Sequence, residues 1–219
     1  MTTPKKSLTI KQNGENTQII KKNRFIASMA RTSSQAKAKV FIAQVKATFP
    51  DARHHTYAYL IGHHNEQVKA SDNGEPSGTA GVPELKTLQL LGLSNVTVVV
   101  TRYFGGIKLG AGGLMRAYAG SVTACAKAIG LVQQVPQREL ILTLSYHQLG
   151  AVNHYLETQP LTAADINYGT DVTLHLWLDC GSEDQTIQAL TNLLAGQVTF
   201  RLGKTANREV PIPWPHNGK

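Results

Sequence analysis

Cysteine is scarce in this chain: two residues, Cys125 and Cys180, among 219. They stand in separate segments with no CxxC pairing, so no zinc site can be built on cysteine and no disulfide framework is implied. The pair reads as buried thiols of a reduced, cytoplasmic protein. Long apolar runs are missing as well. None approaches the roughly 18 residues of a membrane span, and no membrane partner is expected. The start, MTTPKKSLTIKQN, has lysines but no apolar h-region and is not a secretory signal. Neither a GxSxG elbow nor a HExxH pair occurs, which removes the commonest hydrolase patterns. Acidic residues are few in the first half. Residues 1–134 carry 17 Lys/Arg against 6 Asp/Glu, and residues 135–219 carry 5 against 8, for a net charge of +8. That asymmetry assigns any polyanionic partner to the first half.

What is present suits a protein with a real core: 42% of residues are hydrophobic. Residues 17–30 mix apolar and basic residues in strand-like segments. Ser33 and Ser34 are placed to cap a helix over 34–49, with Val40, Phe41, Val45 and Phe49 as its apolar stripe and Lys37, Lys39 and Lys46 off it. TYAYLIG (56–62) and QVKAS (67–71) read as paired strands. Thr79 is the expected N-cap of a helix carrying Leu85, Leu88 and Leu91. The β-branched run 95–104 reads as a strand buried on both faces. Leu114, Tyr118, Ser121, Val122, Cys125 and Ile129 form one helical face ending near Gly130. QQVPQRE (133–139) reads as a linker. Beyond it the order is strand 139–145, helix 147–158, strand 161–168, strand 171–179, helix 183–195 and strand 197–202. This βαββαβ order is the ferredoxin-like split βαβ unit, with NYGTD (167–171) as the hairpin turn. The expected domains are therefore 1–134 and 135–204, with 205–219 an extended or disordered tail.

The densest motif is RYFGGIKLGAGGLMRAY, residues 102–118. Its glycines free the backbone for positive φ and close approach. The helix that follows aims free N–H groups and its positive dipole end at the loop, which suits an anion. Lys108, Gly110, Gly112, Gly113 and Arg116 form the candidate anion site. Neither common phosphate motif is met: no Lys-Ser/Thr follows the glycines, and GxGxxG is broken. In SDNGEPSGTAG (71–81), Asp72 and Glu75 can be read as a Mg²⁺ or acid–base pair, or as turn residues. His54 and His55 are adjacent in a strand, so their rings point to opposite faces and cannot readily share a metal. With His63 and His64 they give no zinc spacing. One buried, hydrogen-bonded histidine and one exposed one is the expected outcome. Tyr57, Tyr59, Arg102, Tyr103 and Phe104 set aromatics beside basic residues, a pattern for stacking bases or for strand burial.

DARHHTYAYLIG, SDNGEPSGTAGVP and VVVTRYFGGIKLGAGGLMRAY, in that order, resemble the IMPACT/YigZ family. The resemblance covers roughly 15–127 with the family's N-terminal domain and 137–204 with its small, DUF1949-type C-terminal domain. It implies an α+β protein of two domains: a ribosomal-protein-S5-domain-2-like fold, then a ferredoxin-like one similar to domains of ribosome-bound elongation factors. Eukaryotic relatives regulate translation through protein competition and carry an extra N-terminal RWD domain, for which this chain leaves no room. For bacterial members, nucleic-acid or ribosome binding has been proposed. The family motifs mark a candidate groove of Arg53, His54, His55, Asp72, Gly74, Glu75 and Pro76 with Arg102, Tyr103, Gly105 and Gly106. The S5-like fold is shared with small-molecule kinases, which is likeness of fold alone.

The leading expectation is a translation-linked factor that binds nucleic acid or the ribosome through its basic first domain, without a cofactor or metal. A nucleotide- or phosphate-using enzyme ranks below it, for want of a clear base or nucleophile. A protein-binding regulator without chemistry is the third reading. The segments 53–55, 72–76 and 102–113 are expected to meet in one groove.

Overall fold

A β-branched strand with alternating faces organises the first domain of the computed structural model, which describes residues 7–62, 64–159, 161 and 163–214. That strand, β6 (Val96–Tyr103), lies at the centre of a sheet ordered β2 (Gly14–Ile20), β3 (Asn23–Arg31), β6, β4 (His54–Ile61), β5 (Gln67–Ser71). All neighbouring pairs are antiparallel. β1 (Ser7–Ile10) precedes them, and its Leu8 carbonyl accepts from the Ser94 amide at 2.8 Å.

Period-two alternation divides the strand side chains between two cores. Val96, Val98 and Val100 join Phe25, Ala27, Met29, Ala58 and Leu60 on the face covered by α2 (Gly81–Leu90) and α3 (Ala111–Ile129). Val99, Tyr59 and Ile61 join Ala38, Ile42 and Val45 of α1 (Gln35–Thr48) on the other. The central strand is therefore continuously apolar because both its faces are covered. Each fully buried leucine or valine contributes roughly 1.5–3 kcal/mol through loss of water contact.

Ser34 caps α1, its hydroxyl accepting from the Lys37 amide at 3.3 Å. The buried stripe of α1 is Ala38, Ile42 and Val45, whereas Val40 is exposed. The expected stripe was thus rotated. Small Ala38 sits against the sheet because it permits close approach, a preference that hydrophobicity alone does not reveal. The α3 face follows the expectation, with Leu114, Tyr118, Ser121, Val122, Cys125 and Ile129 all buried. Cys125 packs in the core, where burial pushes its thiol up to about 12. Cys180 is half-exposed rather than buried.

The second unit, residues 134–209, runs β7 (Leu131–Leu144), α4 (Tyr146–Thr158), β8 (Ala163–Tyr168), β9 (Val172–Asp179), α5 (Glu183–Leu193), β10 (Thr199–Ile212). β7 is flanked by β9 and β10, with β8 outside β9. This is the ferredoxin-like βαββαβ arrangement. Leu174, Leu176 and Leu178 pack with Leu140, Leu142, Val152, Leu156 and Leu190 in its core. The chain is therefore α+β with two domains.

Two expectations are corrected. Residues 133–139 are not a linker but part of β7. Pro136 lacks a donor, yet its carbonyl accepts from the Cys180 amide at 2.9 Å, so the strand continues through it. Residues 205–212 are not a loose tail but the second half of β10, which pairs with β7. Trp214 packs, partly buried, against the first domain's core, and residues 210–214 belong to that unit. Residues 215–219 lie outside the described residues.

The N-terminus of α2 departs from expectation in a way that can be measured. Ala80, not Thr79, occupies the cap position and offers no side-chain acceptor. Asp72 supplies it from a distance, accepting from the amides of Gly78 (2.9 Å), Ala80 (3.0 Å) and Gly81 (2.9 Å). Asp72→Ala should cost about 1–2 kcal/mol in chemical denaturation, the range of a lost helix cap. A loss below a few tenths would show that water replaces the carboxylate without penalty.

Candidate functional site

Arg102 stands near the end of β6 and points into the face covered by α2 and α3. A guanidinium there cannot remain unpaired, and three elements converge to satisfy it. Its Nη1 donates to Glu75 Oε1 at 2.7 Å, and its Nη2 donates to Asn23 Oδ1 at 2.8 Å. The Tyr118 hydroxyl, from α3, donates to the same Glu75 oxygen at 2.6 Å. Arg102 also lies over the rings of Phe25 (5.5 Å) and Phe104 (5.7 Å), and Phe25 meets Tyr118 edge-on. Arg102 and Glu75 are both buried. Burial, then the bond to Glu75, pushes the Tyr118 hydroxyl far up, so it stays protonated and donates.

Asn23 extends the network to the glycine-rich loop. Its Nδ2 donates to the Ile107 carbonyl at 2.9 Å, and its Oδ1 accepts from the Gly105 amide at 3.4 Å. Gly105 is required here: a Cβ would stand 1.9 Å from the Lys22 carbonyl oxygen. Gly106 (φ 84°) and Gly110 (φ 72°) take positive φ, conformations that favour glycine. Gly110 is the N-cap of α3 and carries no side-chain cap. The free amides of the first turn therefore face solvent beside exposed Lys108 and Arg116.

The structure brings part of the expected groove together. His54 is the cross-strand partner of Arg102, and a Cβ on Gly74 would lie 3.4 Å from its Nδ1. His54 Nδ1 is buried without a hydrogen-bond partner, as is Arg102 Nε. Glu75 closes this cluster. Arg53, Gly74 and Pro76 are exposed around it.

Three expected groove residues point elsewhere. His55 turns to the α1 face, where its Nε2 meets the Phe49 carbonyl at 3.0 Å. Burial, chiefly, lowers its pKa. Tyr103 also faces that side, beneath Arg24 at 4.2 Å. Strand alternation accounts for both, since each follows a residue that faces the cluster. Asp72 faces the α2 N-terminus. Burial works against its charge, but the three backbone N–H donors more than offset that and lower its pKa. Asp72 and Glu75 thus serve different partners. Among the described residues no group of three His, Cys, Asp or Glu can hold a metal, and His63 lies outside them.

Sequence reasoning missed Asn23, the network role of Tyr118, and Glu84. Glu84 is fully buried on α2, with Thr56 as its side-chain partner. Burial raises its pKa well above the usual range, which favours the neutral carboxyl. Its spacing, four residues before Leu88 and seven before Leu91 of the apolar stripe, was the available signal.

Two α+β domains, the first built around a buried arginine–glutamate–tyrosine cluster beside a glycine-rich helix start, define the class. Residues 21–126 match the Impact N-terminal domain model, and residues 142–197 match a domain of unknown function, DUF1949. The chain is 37% identical over 204 residues to IMPACT family member YvyE of Bacillus subtilis, covering 93% of this chain and 94% of that one. It is 43% identical over 139 residues to IMPACT family member YigZ of Escherichia coli, covering 63% and 68%. A solved structure described as a hypothetical protein superposes with a TM-score of 0.58 at 34% identity, covering 89% of this chain and 96% of that one. The chain belongs to the IMPACT family.

The cluster predicts an asymmetric mutational response. Arg102→Met strands a buried carboxylate and should cost about 3–5 kcal/mol. Adding Glu75→Gln should recover part of that loss, because no charge then remains unpaired. Chemical denaturation of both variants checks this, and a double variant less stable than Arg102→Met would contradict it.

Proposed function

We propose that the protein is a cytoplasmic, non-catalytic factor that binds RNA, free or within the ribosome, through the glycine-loop end of its basic domain. The observation that carries this reading is the fate of the motif charges. The two carboxylates are engaged inside the protein, Asp72 by backbone amides and Glu75 by Arg102 and Tyr118. The cations around them stay in solvent. Lys21 and Lys22 of the β2–β3 hairpin and Lys108 and Arg116 of the loop and α3 are exposed, alongside exposed Phe104. The Lys22 backbone abuts Gly105, which holds hairpin and loop side by side.

A cationic end with an exposed aromatic is complementary to phosphates and bases. With Asp72 and Glu75 committed to protein partners, a Mg²⁺-dependent phosphoryl transfer at this end has less support.

Fluorescence anisotropy with labelled single-stranded RNA, and co-sedimentation with ribosomes, test the reading. If four phosphates are contacted, affinity should fall roughly 50-fold between 50 and 200 mM salt. Lys108→Ala/Arg116→Ala should reduce the slope of log affinity against log salt by about 1.4. Absence of salt-sensitive binding to either RNA or ribosomes at low salt would falsify the proposal.

A further inference from the structure

A second concave surface lies on the other side of the same sheet, between α1 and the β4–β5 hairpin. On α1, Lys39, Ile42, Ala43 and Lys46 repeat at three-, four- and seven-residue intervals, so they stand on one stripe. In the sheet, Tyr57 and Tyr59 are two apart and share a face. Lys69 is the cross-strand partner of Tyr59 and shares it too. These side chains line a cavity of about 280 Å³. Tyr59 is buried and Tyr57 is half-buried, and both line it. Three cations and two aromatic rings line it together, and among the described residues no carboxylate does.

Size and charge together select the occupant. The volume is at the small end of ligand sites, ~300–1,000 Å³, so it admits one planar ring and not a duplex. Lys39 and Lys46 are two helical turns apart, about 10 Å along the axis at 1.5 Å per residue. A single anion does not call for cations at both ends of the cleft. A base in a strand, with a phosphate on each side, does. We propose that this cleft seats one base of single-stranded RNA on Tyr57, with its flanking phosphates on Lys39, Lys46 and Lys69. The proposal rests on the RNA-binding reading above and adds a contact remote from the glycine-rich loop. The strand runs past the exposed edge formed by β5.

Anisotropy with labelled ten-residue oligouridylate and oligoadenylate on the full chain tests it. Tyr57→Ala should weaken binding roughly 5- to 100-fold, as for a lost stacked base, and Tyr57→Phe should bind like the parent. Lys39→Gln/Lys69→Gln, both at exposed positions, should lower the salt slope by about 1.4 and guards against a Tyr57→Ala variant that fails to fold. Photo-crosslinking with 4-thiouridine should mark the peptides carrying Tyr57 or Lys69. If the parent binds RNA and the lysine pair and Tyr57→Ala bind equally well, the cleft proposal is wrong while the glycine-loop reading stands. If the parent binds no RNA, both fail. Mononucleotides or duplex RNA bound as tightly as the single strand also overturn it.

Discussion

Arg102 is a cation in a place built for apolar side chains, and the first domain is arranged around keeping it there. Its charge is met by Glu75 from the loop before α2, its second nitrogen by Asn23 from the β2–β3 turn, and its faces by Phe25 and Phe104. Tyr118 ties α3 to the same carboxylate. Separate stretches of chain are thus anchored to one guanidinium. Buried ion pairs of this kind contribute little net stability against an apolar replacement, but removing one partner is costly. Their value here is geometric: the pair fixes where the loop 71–81, the β2–β3 turn and the start of α3 lie relative to one another.

That geometry also decides which charges reach solvent. Carboxylates that look like a metal or acid–base pair in the sequence are turned inward, each to a different partner. Cations on the hairpin and helix start are turned outward. The same sorting recurs on the α1 side, where the apolar stripe seats the helix and leaves Lys39 and Lys46 at its margin, opposite Lys69. Basic composition alone does not distinguish a solvated surface from a binding one. The proposed binding reading rests on cations gathered beside an exposed ring at the loop end and beside a half-buried one in the α1 cleft.

Much of the fold was legible because it follows from local periodicity. The α3 face, the doubly buried β6 and the βαββαβ order each leave a pattern within a single stretch of chain. What was not legible depends on distant partners. Pro136 looked like a linker residue because its missing donor is visible in sequence, while the Cys180 amide that bonds its carbonyl is not. Asp72 and Glu75 looked like a pair because they are three residues apart, yet tertiary contacts separate their roles. Asn23 attracted no attention, and Tyr118 did so only as part of the α3 face, because they lie 79 and 43 residues in sequence from Arg102 and Glu75, their respective partners. The α1 stripe was misjudged because alanine at a tight contact resembles alanine at a neutral one.

Helix α2 carries a consequence in its proton inventory. Its start is held by Asp72, whose pKa is lowered on folding, and its interior holds Glu84, whose pKa is raised. Asp72 gives stability that is present above its unfolded pKa and lost as pH falls through the lower folded one. Glu84 gives stability that is complete below its unfolded pKa and lost as pH rises toward the higher folded one. Folding therefore tends to expel a proton at one end of this helix and to take one up within it. The two titrations oppose each other, so together they favour the folded domain most in the ordinary carboxylate range, between the unfolded values of the two groups, and their joint contribution falls away on either side.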